Sequence, residues 1–247
     1  MKLPVSKEYW FITGTSSGIG KAIAETILKR KDAIVVGISR NKTITHSRYV
    51  HFCIDLSSPE NIRNFNFGYI KPDPSRLVLV NNAGTLGEIV YAGNLNNDAI
   101  AKAYNTNIVS AHILINKFID DFRKYVCKKI ILNVSSGAAT NAYDGWSVYC
   151  ATKAAMDMIT ACIAKEQETI EEGLNCKIYS VAPGVVDTKM QNEIRETDSK
   201  SFSLKEKFIE LHKNNQLINP VDAAKKIIDI VDGAYKDSKV FVEGLLK

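Results

Sequence analysis

Residues 9–20, YWFITGTSSGIG, decide how the rest of the chain is read. Tyr9 to Thr13 are aromatic or β-branched, and they run into a loop holding Gly14, Gly18 and Gly20. An amphipathic stretch opens inside that loop at Gly18. The pattern predicts a buried strand, a sharp turn and a helix beginning at the glycines. Gly14 lets the strand end turn sharply, Gly18 permits close backbone approach, and Gly20 lets the helix pack near the sheet. The first amides of such a helix face an anion, and a pyrophosphate suits them. The spacing is G-x3-G-x-G rather than G-x-G-x-x-G, so the strand before it and the helix after it carry the argument. A plain strand-to-helix turn is the competing reading.

Outward from this loop, short apolar runs alternate with longer amphipathic ones. Strands are expected at 33–38, 50–54, 77–81, 129–134, 177–182 and 240–243, and helices at 18–30, 59–66, 97–126 (broken), 148–172 and 220–234. The strand runs are apolar at nearly every residue, as in a parallel sheet covered on both faces. The expected fold is α/β: a doubly wound (Rossmann), mainly parallel seven-stranded sheet with helices on both faces, forming a single domain over 1–247. Residues 66–76, NFGYIKPDPSR, read as an irregular connection. Residues 187–219 form a polar insertion with helical pieces DTKMQNEIRE and SLKEKFIELHKNN. Its place after a strand is where a substrate lid is expected.

Composition excludes several function classes. The net charge of +5 is mild and no Lys/Arg block occurs, so a nucleic-acid partner is not expected. No segment approaches the roughly 20 apolar residues of a membrane span, and the N-terminus does not read as a signal peptide. The five cysteines (53, 127, 150, 162, 176) lack metal-ligand spacing and suit reduced thiols, so no metal and a cytoplasmic location are expected. Asn41 and Asn133 begin glycosylation triplets, but Asn133 lies inside an apolar strand, where a glycan has no room.

Four further stretches carry chemistry. Arg40, in SRN just after the second strand, would hold a 2′-phosphate of NADP, or is an ordinary surface arginine. Asp55 would accept from an adenine amino group, or caps a turn. NNAG, 81–84, closes the fourth strand, where Gly84 lets the chain pass close to a flat ligand. Ser135 and Ser136 end the fifth strand, and Tyr149 and Lys153 stand one helical turn apart on one face. A free phenol has a pKa near 10, so a nearby ammonium is expected to lower it. Serine, phenol and ammonium then converge at the carboxyl ends of the strands.

TGTSSGIG, NNAG, NVSS, YCATK and APGVVDT, in this order, resemble the short-chain dehydrogenase/reductase family across essentially the whole chain. GWSVYCATKAAMDM and APGVVDTKMQ look like its sepiapterin reductase and benzil reductase branch, which reduces ketones, often vicinal diketones, with NADPH. The resemblance implies a catalytic tetrad. Tyr149 is the acid, and Lys153 lowers its pKa and bonds the nicotinamide ribose. Ser136 polarises the carbonyl, with Ser135 as its neighbouring alternative. Asn107 holds a helix bend and a water that links the lysine to solvent. For the cofactor it implies Gly14, Ser16, Gly18, Ile19, Gly20, Arg40, Asp55, Asn82, Ala83, Gly84, Tyr149, Lys153, Pro183, Gly184, Val186 and Thr188. Trp146, Val185 and Met190 are expected to wall the substrate, with Trp146 otherwise a brace for the loop 137–147. The implied activity is an NADPH-dependent carbonyl reductase giving a hydroxyketone. An alcohol or steroid dehydrogenase and a non-catalytic dinucleotide sensor are the alternatives. The implied partners are a small carbonyl substrate and further copies of the chain, in a homodimer or homotetramer. Ile113, Met156, Ile159 and Ile163 either form that contact or face the core. Glu243 and its C-terminal neighbours stay open as substrate contacts.

Overall fold

In a computed structural model the strands β1 (Glu8–Thr13), β2 (Ala33–Ser39), β3 (Tyr49–Cys53), β4 (Arg76–Asn81), β5 (Lys128–Val134), β6 (Cys176–Val181) and β7 (Phe241–Val242) form one sheet in the order β3-β2-β1-β4-β5-β6-β7. The structure describes residues 7–68, 73–234 and 240–242. Glu243 and positions 69–72 of the irregular connection lie outside them. Every pairing is parallel, including β6 with β7. The chain winds outward from β1 to β3, then returns to the other side of β1 with β4. The loops after β1 and β4 therefore diverge and leave a crevice between them.

The strands are buried on both faces, and alternate residues feed two cores. Trp10, Ile12, Val35, Val78, Val80, Ile130 and Leu132 pack with Ile23 and Ile27 of α1 (Gly18–Ile27) and with Ile227 and Val231. The opposite face carries Phe11, Val36, Leu77, Leu79 and Ile131 against Leu114, Phe118 and Phe122.

The helix expected at 59–66 is only four residues long, α2 (Glu60–Arg63). Phe65 and Phe67 replace the missing turns. Phe67 is fully buried, edge-on to Phe11 at 4.8 Å and to Phe118 at 5.6 Å. Aromatic burial here does the covering that a longer helix would do. The break expected within 97–126 is a π segment, Asn105–Val109, between α3 (Asn97–Tyr104) and α4 (Ser110–Phe122).

The catalytic-helix candidate is α5 (Ser147–Glu168). The insertion holds α6 (Lys189–Glu196) and α7 (Lys205–Lys213) before α8 (Pro220–Asp232). Its base is closed by backbone bonds, Asp187 N to Ile218 O at 2.9 Å and Ile218 N to Val185 O at 2.9 Å. Among the described residues no helix is long and apolar enough to cross a membrane, and no His/Cys/Asp/Glu group is arranged to hold a metal.

Candidate active site

The glycine loop is locked to the end of β4. Thr13 Oγ1 accepts from the amides of Asn82 and Ala83, both at 2.9 Å, and Asn82 Nδ2 donates to Thr13 O at 3.0 Å. Gly14 has φ +73, and a Cβ there would lie 2.8 Å from Asn82 Nδ2 and 3.0 Å from Ala83 Cα. A side chain at 14 would thus force NNAG away from the loop. A Cβ on Gly20 would meet the same amide group at 2.4 Å. Behind the loop, Thr15 bonds the Tyr49 hydroxyl at 2.8 Å and the Ser39 hydroxyl at 3.3 Å, while Thr43 Oγ1 donates to Ser16 O at 3.1 Å. Sequence reading missed Thr13, Thr15 and Tyr49. A lone threonine in a glycine loop gives no signal until its partners from β2, β3 and β4 are in place.

These residues fit the phosphates of a dinucleotide. Ser17 precedes α1 without capping it through its side chain, so first-turn amides keep free donors. Thr188, which begins α6 and is likewise uncapping, approaches from the far side: a Cβ on Gly18 would be 3.2 Å from Thr188 Cγ2. Ile19 packs partly buried against the first core. Pro183 and Val186 are buried, and Gly184 turns between them at φ +83.

Arg40 is exposed at the end of β2, and its charge reaches Asp55. Asp55 Oδ1 accepts from Ser57 N at 3.0 Å, so this carboxylate caps a turn through one of its two oxygens. That backbone bond is the main reason its pKa lies below the ordinary carboxylate value, with Arg40 adding to the effect.

Ser136, Tyr149, Lys153 and Asn107 come together at the ends of β5 and β4. The half-buried Ser136 caps a short 3-10 turn, Gly137–Ala139, by accepting from Ala138 N at 3.1 Å. Its hydroxyl also acts on the Tyr149 phenol, lowering its pKa. Ser135 Oγ, in contrast, is buried with no hydrogen-bond partner among the described residues. The two serines thus differ: Ser135 is sealed away, and Ser136 is the one that acts on the phenol. Asn107 sits within the π segment. Its amide accepts from Thr85 N at 2.9 Å and donates to Thr85 O at 2.8 Å and to Thr152 Oγ1 at 3.0 Å. A Cβ on Gly84 would lie 3.5 Å from Asn107 Oδ1 and 3.7 Å from Lys153 Nζ, so these three residues share one small space.

The expectation that Lys153 lowers the pKa of Tyr149 is overturned. Burial dominates both groups. It pushes the Tyr149 phenol up to about 12, only partly offset by the Ser136 hydroxyl. It pulls Lys153 down to about 8, partly opposed by the Asp157 carboxylate. The ammonium is 5.6 Å from the phenol ring centroid and donates to Val134 O at 2.7 Å, so its charge is aimed at the β5 carbonyl. Asp157, one turn beyond Lys153 and bonded by Ser180 Oγ at 2.5 Å, is a further residue that the sequence reading missed.

Trp146, Val185 and Met190 join one apolar cluster with Tyr149, Leu86, Ile194, Phe202 and Phe208. Trp146 meets the Tyr149 ring edge-on at 5.6 Å and lies flat on Phe202 at 4.7 Å, with 10° between the rings. Tyr143 packs on its other flank at 5.3 Å, so Trp146 also braces its loop. The Trp146 Nε1 donor is buried with no acceptor among the described residues. A separate cleft of about 570 Å³ runs beside Gly18, Lys21, Thr188, Arg195 and His212; it borders the glycine loop but not the phenol.

A family model for the short chain dehydrogenases matches residues 8–199. The chain belongs to the short-chain dehydrogenase family. Among its relatives, a benzil reductase ((S)-benzoin forming) of Bacillus cereus is 36% identical over 91% of this chain and 94% of that protein. The sepiapterin reductase of Rattus norvegicus is 28% identical over 89% of each chain. The crystal structure of the KRED1-Pglu enzyme superposes with a TM-score of 0.77 at 30% identity, covering 91% of this chain and 95% of that one. The resemblance to the benzil and sepiapterin reductase branch therefore holds. As a member of this family the chain is an oxidoreductase of small molecules that uses a nicotinamide dinucleotide.

Proposed function

We propose that this protein is an NADPH-dependent carbonyl reductase that converts a vicinal diketone to a hydroxyketone. The observation that carries this reading is the buried Tyr149 phenol, within an aromatic cluster and with Lys153 5.6 Å from its ring, at the same edge of the sheet as the glycine loop. Relatives named benzil reductase support the diketone.

The amides around Gly14, Ser16, Gly18, Ile19 and Gly20 would hold the pyrophosphate, with Thr188 closing over it. Arg40 would take the 2′-phosphate and Asp55 the adenine edge. Asn82, Ala83 and Gly84, with Pro183, Gly184 and Val186, would border the rest of the dinucleotide. When bound, the nicotinamide supplies a hydride to carbon. The residues then manage the oxygen. The Ser136 and Tyr149 hydroxyls donate to the carbonyl oxygen, where negative charge builds. A phenol with a pKa of about 12 is protonated throughout the neutral range, and its proton passes to the much more basic alkoxide. Lys153, tied to Val134 O, would also reach the ribose, and Asn107 would hold the helix bend beneath it. Trp146, Val185 and Met190 would wall the aryl groups. A second carbonyl withdraws electrons from the reacting carbon and eases hydride attack. Its oxygen would also fix which face is presented.

The face between α4 and α5, where Met158 is 65% exposed, would join two copies of the chain. Of the four residues named for that contact, Met156 and Ile163 are buried, while Ile113 and Ile159 are half-buried. Light scattering at working concentration tests the assembly.

The decisive assay offers benzil and simple aldehydes with NADPH and NADH, with the product resolved by chiral chromatography. One benzoin enantiomer, formed with NADPH, is expected. A racemic product, or aldehyde reduction with no benzil turnover, would sink the proposal.

A further inference from the structure

The insertion between β6 and α8 comes down on the loop that enters α5, and one carboxylate joins the pieces. Asp144 Oδ2 accepts from Ser203 N at 2.9 Å and from the Tyr91 hydroxyl at 3.0 Å, while Oδ1 accepts from Ser203 Oγ at 2.8 Å. Tyr91 belongs to the loop after β4, and Ser203 to the insertion. The next residue, Gly145, has φ +71, and a Cβ there would lie 2.2 Å from Ser201 O, so backbone rests on backbone. The residue after that is Trp146, which lies on Phe202. Three consecutive residues, 144 to 146, thus meet three consecutive residues, 201 to 203.

The contact has a polar rim and an aromatic interior. Tyr91 and Ser203 are exposed, whereas Phe202 is 0% exposed, Trp146 5% and Tyr149 7%. The phenol is therefore covered. Trp146 touches both rings, the phenol edge-on and Phe202 face to face, and so links the insertion to the site.

We propose that Asp144 is a positioning residue: it latches the insertion onto the entrance of α5, so that the Phe202–Trp146 stack closes on the aryl groups of a substrate whose carbonyl meets Ser136 and Tyr149. The substrate half of this inference rests on the carbonyl-reductase reading. The latch half rests on the hydrogen bonds and the stack alone. An aldehyde too small to reach Phe202 has no use for the latch, so size selectivity is its signature.

Two measurements test it. Steady-state kinetics compares Asp144→Ala with wild type on benzil and on propanal. The KM for benzil should rise about tenfold, the size of effect that follows from weakened hydrogen bonds to a charged group, with kcat little changed. The KM for propanal should stay within about twofold. Acrylamide quenching in a Trp10→Phe background then reads Trp146, since the chain has only two tryptophans. Asp144→Ala should make Trp146 several-fold more quenchable, and Ser203→Ala and Tyr91→Phe should each give part of that change. If Asp144→Ala does not fold, these two partner variants carry both measurements. Unchanged quenching overturns the latch, and so does an equal loss on both substrates. If wild type turns over propanal but not benzil, the diketone reading falls, and quenching alone decides the latch.

Discussion

At the amino ends of β1 and β4, Glu8 and Arg76 close on each other, and Arg30 and Asp232 complete the group. Arg30 meets Glu8 at 3.3 Å and Asp232 at 2.6 Å, and Arg76 meets Asp232 at 2.8 Å. The two guanidiniums lie over Trp10, 5.7 and 5.6 Å from its ring. At the carboxyl ends of the same strands, the α1 amides lack a side-chain cap and Arg40 stands out in solvent. Tyr149 and Lys153 are each shifted by burial toward the neutral form. Within this group of four each charge faces an opposite one, and the group joins α1, α8 and the sheet. The other end leaves donors for a ligand to fill, which is what a binding edge requires.

The largest effect that would break this contrast is chemical. Tyr149→Phe keeps the ring in the Trp146 cluster but removes the proton. Turnover should fall by about 10²–10⁴-fold with the unfolding midpoint nearly unchanged. Near-normal turnover in steady-state assays would remove Tyr149 from the chemistry. At the opposite end, Glu8→Gln should do the reverse. It leaves two arginines short of a carboxylate and should lower stability by about 3 kcal/mol in urea titrations, while kcat stays the same. If activity fell and stability did not, the two ends would not be separable.

Arg40→Ala sharpens the comparison at the open end. Losing charged bonds to a 2′-phosphate should weaken NADPH about 10- to 100-fold and leave NADH little changed, read by isothermal titration. Equal losses for both would make Arg40 an ordinary surface residue.

The smallest effect is a pH slope. Native Lys153 titrates near 8, against 10.5 unperturbed, so between these values the unfolded chain keeps a proton that the native chain has lost. The penalty for burying the ammonium is full below pH 8 and relieved as pH rises, at roughly 1 kcal/mol per pH unit. Tyr149 acts in the opposite sense higher up: its raised pKa favours folding below pH 10, and that gain is lost between 10 and about 12. Lys153→Met should remove the rise between pH 8 and 10 in denaturant midpoints. An identical slope in variant and wild type would show that the ammonium is not sealed from water.

Much of this was legible from the chain because local patterns and global packing agreed. AIVVGI and LVLVN are short, β-branched and apolar on consecutive residues, as suits a strand buried on both faces, and both are interior strands of the sheet. Asn133 was read as buried, and it is, bonding Thr160 and Asn81 beneath the site. The short α2 was not legible, because Phe65 and Phe67 become a plug only when Phe11 and Phe118 arrive from elsewhere. On α5, Met156 and Met158 look alike in sequence, yet one is buried and the other exposed, since two residues turn a helix about 200°.

Residue types and their periods were enough for the order of strands and helices, the glycines at the first turn, and the one-turn spacing of Tyr149 and Lys153. These depend on residue type and on the periods of helix and strand, which act locally. Only the packed fold shows that Ser136 rather than Ser135 acts on the phenol, that Thr13 fastens NNAG to the glycine loop, and that Asp144 meets Ser203 59 positions away. It also reversed the expected direction of the Tyr149 shift. The charge of a lysine can be read from a sequence. The exclusion of water that outweighs that charge depends on the whole of the surrounding fold.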